Sequence, residues 1–426
     1  MLDIRTIRKH KEAVRKRMTM RKQGDYDLEG IVQLDLQKRT VLVKLEEMKA
    51  LHNQLSLKIR DCEAKEGDGR DVLISEAKSL TSEINRLAET VKDYDDNINM
   101  LLLEIPNLPS EDTPIGDDCA QNIVLKTVGE INTLSFDPKS HWEIGEKLGL
   151  MDFETATKIS GTRFVVLKGT LAKLERALIQ FMMDYHTNEG DFKEVVVPNL
   201  VNRDSMIGTG QLPKFENDMY HCQDQDLFMI PTAEVPLINL YRNLVLDESE
   251  LPLLNVACTP CYRKEAGASG RDSKGLIRLH QFNKVELVGI SSEKTSDSTL
   301  EYMMKSAESV LEALELPYRV VRLCGGELGF SANKTFDLEV WLPGQNTYKE
   351  IASCSNCGDF QSRRANIRYR DKDSGKLRYP HTLNASGVAI GRTMAAILEN
   401  HQNSDGTVNV PLALRPYMSG IDLIKP

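Results

Sequence analysis

Between Ile31 and Ile105 the apolar residues recur in sevens, a pattern that only long, mutually packed helices satisfy. One register holds Leu34, Val41, Met48, Leu55 and Cys62, with Ile31, Leu45 and Ile59 at its companion positions. A second holds Leu73, Leu80, Leu87, Tyr94 and Leu101, beside Ala77, Ile84, Val91, Ile98 and Ile105. The polar segment EAKEGDGRD, with two glycines, stands between the two runs. Two helices of roughly 45–50 Å joined by a short turn are therefore expected to fold back as an antiparallel coiled-coil hairpin. Lys38 and His52 interrupt the seam and are candidates for fixing its register.

A hairpin of this kind serves as a dimerisation element, as a spacer or as a binding arm. Its charge is split in a way that favours the last. Residues 1–62 hold 15 Lys/Arg against 9 Asp/Glu, whereas residues 63–112 hold 5 against 13. The first helix and the basic segment before it are suited to following a phosphate backbone, leaving the acidic second helix to solvent. The whole-chain net charge of −9 hides this split and argues only against general coating of nucleic acid.

The prolines of IPNLPSEDTP end the helical pattern. A boundary at residue 110 is expected, with a helical arm domain over 1–110 and a second domain over 111–426. A chain of 426 residues is in any case too long for one ordinary core. The N-terminus, MLDIRTIRKHKEAVRKRM, has no apolar stretch of the signal-peptide kind. No segment approaches the length of a membrane span. Eight cysteines in so long a chain do not make a disulfide scaffold, so a cytoplasmic protein with reduced thiols and no membrane partner is expected.

In the second domain TLAKLERALIQFMMDYHTNE (170–189) reads as an amphipathic helix. Short β-rich runs follow: EVVVPNL, DLFMI, LLNVAC, LIRLHQFNKVELVGI, YRVVRL and TFDLEVWL, with later helices over 297–315 and around GRTMAAILENHQ. The mixture predicts an antiparallel sheet flanked by helices, so the class is α+β with an N-terminal coiled-coil hairpin. Neither GxxxxGK[ST] nor a GxGxxG after a strand is present, so any nucleotide must lie on another platform. LIRLHQFNKVELVGI (276–290), taken as one strand, places Ile277, Leu279, Val285 and Leu287 on one face, as core. Arg278, His280, Phe282, Lys284 and Glu286 fall on the other. Phe282 and Glu286 would be about 13 Å apart, enough to separate a stacked base from an amine at the far end of an extended ligand. Arg263 and Glu265 of YRKEA also share a face. Between them and the strand lies GASGRDSKG, a basic, Gly-rich loop suited to anions.

Two CxxC pairs, Cys258–Cys261 and Cys354–Cys357, raise the possibility of zinc. The more than ninety residues between them far exceed the roughly 15–20 of ordinary paired zinc motifs, although distant segments can meet in space. No zinc is expected; the thiols read as small buried apolar residues.

CYRKEAGASGRDSKGLIRLHQFNKVEL resembles motif 2 of the class II aminoacyl-tRNA synthetases, and NASGVAIGRTMAAILEN resembles their motif 3. VVVPNLVNRDSMIGTGQLPKF is similar to the motif 1 region, with Pro198 as its proline. PTAEVPL, YKEIASCSNCGDFQSRRANIRYR and the N-terminal hairpin are similar to features of the bacterial-type seryl-tRNA synthetases, and the resemblance covers nearly the whole chain. It implies a class II catalytic domain over 111–426 and a two-step reaction. Serine is activated with ATP to seryl-adenylate, and the seryl group then passes to the 3′ end of tRNA(Ser); charging of tRNA(Sec) as well stays open.

By the same resemblance Arg263, Arg392 and Glu350 are catalytic. Thr232, Ala233, Glu234, Glu286, Asn384 and Ser386 would form the serine pocket, with Glu286 on the ammonium. ATP would contact Arg263, Lys264, Glu265, Leu279, His280, Gln281, Phe282, Glu350, Ile351, Ala352, Ser353 and Arg392. Glu350 and Ser353 would ligate Mg²⁺. The arm would grip the long variable arm of the tRNA, and motif 1 implies a homodimer. One departure is Ala385, where the family more often has glycine; its methyl would narrow the pocket or alter the backbone. An amino acid:carrier ligase and a catalytically dead tRNA-binding regulator are the other readings. The retained arm weighs against the first, and Arg263, Arg392 and Glu350 against the second.

Overall fold

The computed structural model describes residues 1–22, 26–62, 69–131, 134–266 and 274–425. The chain divides into two compact units. One is Leu2–Lys16 with Gly24–Ile105; the other is Met1, Arg17–Gln23 and Pro106–Pro426.

In the first unit the heptads become two helices, α1 (Leu28–Cys62) and α2 (Gly69–Glu104), of 35 and 36 residues. At 1.5 Å per residue each spans roughly 53 Å. Ile31, Leu45 and Leu55 are buried and Leu34, Val41, Met48 and Ile59 half-buried, while Leu36, Val43, Leu51 and Leu57 between them are exposed. Lys38 forms an ion pair with Asp95 of α2 and so ties the two helices at one register. On α2 the seven-residue pattern fails at its end. Leu101 is 43% exposed, and Leu102 is buried instead. A straight helix drifts about 20° per heptad, and the four-residue step from Ile98 to Leu102 restores the buried face. The short helix Ile4–Lys9 packs on α1. Its Ile7 is fully buried, and Arg8 meets Asp35 at 2.7 Å, where Arg39 also arrives at 3.1 Å. Two guanidinium partners make that buried carboxylate tolerable. The Cys62 side chain and residues 63–68 of the connecting turn lie outside the described residues.

The second unit is built on an eight-stranded sheet. In chain order its strands are β1 (Ile123–Val128), β2 (Lys193–Glu194), β3 (Leu253–Tyr262) and β4 (Gln281–Ser291), followed by β5 (Tyr318–Arg322), β6 (Lys334–Leu342), β7 (Thr347–Asn356) and β8 (His381–Ala389). Their spatial order is β1-β5-β6-β7-β8-β4-β3-β2. All neighbours are antiparallel except β2 and β3. Helices α3 (Gly169–Asn188), α4 (Ser296–Ala313) and α5 (Ile390–Asn400) share one hydrophobic core with Val285, Leu287, Leu338, Val340, Cys354 and Leu383. Strand alternation turns Glu286, Val288 and Ile290 to the opposite face. There Val288 and Ile290 pack on Ala233, Leu237, Ile238 and Ile367.

Two expectations are modified. The strand expected over 276–290 begins only at Gln281. Gly275 has φ +79°, and the Leu276 amide donates to His141 Nε2 at 2.9 Å rather than to a neighbouring strand. The basic N-terminal segment is also partly committed. Arg17 Nε donates to the Pro109 carbonyl at 2.8 Å, and buried Arg21 donates to those of Leu328 and Gly329 at 3.1 Å. These two cations do not belong to a phosphate-following face.

Candidate active site

The centre of the sheet carries an open cleft with both charged and apolar walls. Arg263, Arg392, Glu350, Thr232, Glu234, Glu286, Asn384, Ser386, Glu265, Leu279, Phe282, Ile351 and Ser353 all line it. Residues up to 160 positions apart are brought together because β4, β8 and β7 are neighbours. Glu286 pairs with Ser386 across β4 and β8, and Ser355 pairs with Asn384 across β7 and β8. The β4–β8 register then breaks, so that Lys284 faces Ala389. Within this bulge Val388 has φ +82°, an unusual conformation for a β-branched residue. Gly387 leaves no room for a side chain, since a Cβ would lie 2.8 Å from His186 Nε2. The bulge keeps Ser386 on the cleft wall and starts α5 with Arg392 directed back into the same cleft.

One end of the cleft is acidic. The Thr232 hydroxyl donates to Glu286 Oε2 at 2.8 Å. Glu234 Oε1 accepts from Gln361 Nε2 at 2.7 Å and from Asn384 Nδ2 at 2.9 Å. Burial pushes the Glu234 carboxyl above the ordinary range, and the Gln361 hydrogen bond only partly opposes this. The other end is cationic. Arg392 Nη1 lies 3.0 Å from Glu350 Oε1 and 2.8 Å from the Glu350 carbonyl, while its Nε donates to the Ile277 carbonyl at 3.2 Å. The Arg392 charge holds the Glu350 carboxyl below the usual carboxylate range. Arg263 Nε donates to the Pro231 carbonyl at 3.2 Å, and the guanidinium stands 5.3 Å from the centroid of the Phe282 ring. Glu265, at φ +51°, forms an ion pair with Arg278. Both guanidinium groups are thus oriented before any ligand arrives.

Five named residues lie outside the lining of the cleft. Ala233 and Ala352 are fully buried in the flanking cores. Lys264 Nζ lies 5.9 Å from the Tyr220 ring centroid, His280 Nδ1 contacts the Arg263 carbonyl at 2.9 Å, and Gln281 lines a neighbouring pocket beyond Phe282. Residues 267–273 of the Gly-rich loop lie outside the described residues. Ala385 does not narrow the cleft. Its methyl is fully buried in the core between Leu287 and Cys354, as alternation from Asn384 and Ser386 requires. Cys261, Cys354 and Cys357 are buried and Cys258 half-buried. Burial pushes all four thiols up, Cys258 to about 12.

Three residues outside the predicted set matter to this geometry. Lys284 lines the acidic end and forms an ion pair with Glu286; its spacing of two from Glu286 placed both on one strand face. Gln361, in the helix Phe360–Arg364, holds Glu234 from 127 residues away, and nothing local in GDFQSRR announces it. Glu399 anchors the lip of the cleft. It accepts from His141 Nδ1 at 2.7 Å and from the Gly344 amide at 2.9 Å, so His141 Nε2 is left to accept from Leu276. Glu399→Ala is expected to lower stability by about 2–3 kcal/mol, because buried donors lose a charged acceptor. Urea unfolding of the variant measures this.

The family description "Seryl-tRNA synthetase N-terminal domain" matches residues 1–109, and "tRNA synthetase class II core domain (G, H, P, S and T)" matches residues 215–401. A curated serine–tRNA ligase of Syntrophotalea carbinolica is 49% identical over 428 residues, covering all of both chains. The chain belongs to the seryl-tRNA synthetase family. One from Clostridium tetani is 48% identical over the same full extent. The crystal structure of the Pyrococcus horikoshii seryl-tRNA synthetase complexed with ATP superimposes with a TM-score of 0.92 at 37% identity, covering 100% of both chains. The activity is that of a serine–tRNA ligase of class II, and the ATP-complexed relative supports ATP binding. The carrier-ligase and dead-regulator readings are not favoured. Among the described residues no helix is long and apolar enough to cross a membrane.

Proposed function

We propose that the acidic end of the cleft binds L-serine and the arginine end ATP, in an orientation that lets the serine carboxylate attack the α-phosphate. The observation that carries this reading is the meeting of Thr232, Glu234, Glu286 and Ser386 with Arg263 and Arg392 in one cleft. Glu286 receives the ammonium, and Glu234, Asn384 and Ser386 satisfy the hydroxyl. A site built for a hydroxyl strands its own polar groups when alanine enters, and so rejects it. Phe282 stacks on the adenine, with Glu265 and Leu279 beside it. Lys264, His280, Gln281, Ile351 and Ala352 complete the ATP site.

A carboxylate oxygen of serine forms the new bond to the α-phosphorus as the bond to the bridging oxygen breaks, and pyrophosphate leaves. The Arg263 fork follows the charge that grows on the α-phosphate oxygens. Arg392 holds the terminal phosphates. The 3′-hydroxyl of the tRNA then attacks the seryl carbonyl, and AMP departs. Positioning and charge stabilisation do the work, without a protein nucleophile.

Glu350 and Ser353 would hold Mg²⁺, which supplies positive charge to the leaving pyrophosphate. Both offer hard oxygens at the cleft wall. Buried Asp337, paired with Ser353 across β6 and β7, has an Oδ1 without a hydrogen bond. Among the described residues no three His, Cys, Asp or Glu side chains gather. Mg²⁺ is ordinarily held by one or two carboxylates together with substrate phosphates.

The chain acts in the cytoplasm as a homodimer, with the arm of one subunit serving the active site of the other. Val196, 93% exposed in the motif 1 region beside exposed Leu200, supports an apolar face for the second copy. The hairpin binds tRNA(Ser) along the exposed basic side of α1. Lys44→Glu with Lys58→Glu is therefore expected to raise the KM for tRNA about tenfold. The salt slope of tRNA binding should fall by about 2, with ATP–pyrophosphate exchange unchanged. Exchange measured with each of the twenty amino acids, followed by tRNA charging, tests the whole reading. Exchange with serine alone supports it; exchange with another amino acid overturns the pocket assignment.

A further inference from the structure

The acidic end of the cleft already contains an ammonium group. Lys284 Nζ contacts the Glu286 carboxylate and lies 3.0 Å from the Thr232 hydroxyl oxygen, which itself donates to Glu286 Oε2 at 2.8 Å. The three side chains close a ring, and all three are buried at 7, 2 and 6% exposure for Lys284, Glu286 and Thr232. The second carboxylate nearby, Glu234, is already taken by Gln361 and Asn384 through one oxygen. Its carboxyl is raised by burial and disfavours negative charge.

We propose that Lys284 is a resident cation, displaced from Glu286 by the ammonium of the incoming amino acid and then received by that same molecule's carboxylate. This rests on the serine reading of the pocket. The physical reason is charge conservation in a dry site. A second ammonium beside Glu286 repels the first, and a buried lysine left without a counter-ion is strongly unfavourable. Lysine's four-carbon stem allows the ammonium to move a short way. A zwitterion brings one charge of each sign and leaves the pocket as neutral as it was. An amine without a carboxylate adds a positive charge that nothing offsets. Lys284 thus makes the pocket select amino acids over simple amines, a specificity that Glu286 alone does not supply.

The test is calorimetric titration of the full-length wild type, Lys284→Met and Lys284→Gln with L-serine and with ethanolamine, which is serine without its carboxylate. The wild type is expected to bind serine at least about a hundredfold more tightly than ethanolamine. In both variants serine should weaken by about tenfold while ethanolamine tightens by a similar factor, because its site has been vacated. Opposite shifts for the two ligands are the signature. Both ligands weakening together, or neither changing, overturns the proposal. ATP titration of each variant reports whether it is folded. A measurement on the wild type alone stands beside this: added formate, the missing carboxylate, should tighten ethanolamine binding, and a failure to do so also overturns the displacement. A wild type that binds no serine overturns the serine reading itself, which the variant comparison does not.

Discussion

Arg263→Ala is expected to lower serine-dependent ATP–pyrophosphate exchange by about 10²–10³-fold, mostly in kcat. That is the usual loss when one preorganised donor to a charged transition state is removed. The guanidinium is held in advance by the Pro231 carbonyl at 3.2 Å and by its place over Phe282, so its orientation costs nothing at the moment of reaction. Arg263→Lys keeps the charge but loses the planar fork, and should recover only part of the rate. The residue is half-buried, so the variant should unfold at nearly the wild-type urea concentration. Pre-steady-state measurement of adenylate formation checks the result. A large rise in the KM for ATP with kcat unchanged would instead make Arg263 a uniform binder of nucleotide.

Glu286→Gln should have the largest effect on both binding and stability. It removes the counter-ion of buried Lys284, and such a loss typically costs about 3–5 kcal/mol. Its amide also leaves a single oxygen where the carboxylate offered two to the Thr232 hydroxyl and the Lys284 ammonium. The KM for serine is expected to rise at least about a hundredfold, and the urea midpoint to fall clearly. The double variant with Lys284→Met should recover much of the stability, though not the serine affinity. A double-mutant cycle on unfolding free energies isolates that coupling. Additive losses would show that the pair does not act as a unit.

The hairpin was legible because a seven-residue period has only one physical solution. Every predicted seam position on α1 with a described side chain, from Ile31 to Ile59, is buried or half-buried. The pattern misled only at Leu101, where strict sevens meet a helix with 3.6 residues per turn. The cleft was legible through motif resemblance, and strand parity placed Phe282 and Glu286 on the face that lines it. Parity failed over Leu276–His280, because the backbone there is bound by His141, a residue 135 positions earlier. Gln361 and Glu399 were invisible for the same reason. Each acts through a partner remote in sequence, and single side chains in short helices or at helix ends carry no period to read. Lys284 was visible as a cleft-facing residue, but its pairing with Glu286 follows from burial, which parity alone does not report.

The bulge at Gly387–Val388 makes the strand-to-helix junction a ruler. Ser386 on one side lines the acidic end of the cleft and Arg392 on the other lines its cationic end, with both distances measured along one stretch of backbone. Inserting or deleting a single residue between them would rotate α5 by about 100° and carry Arg392 away from Glu350. Specificity at this site can therefore be re-engineered by exchanging side chains, while the spacing from Asn384 to Arg392 tolerates no change in length.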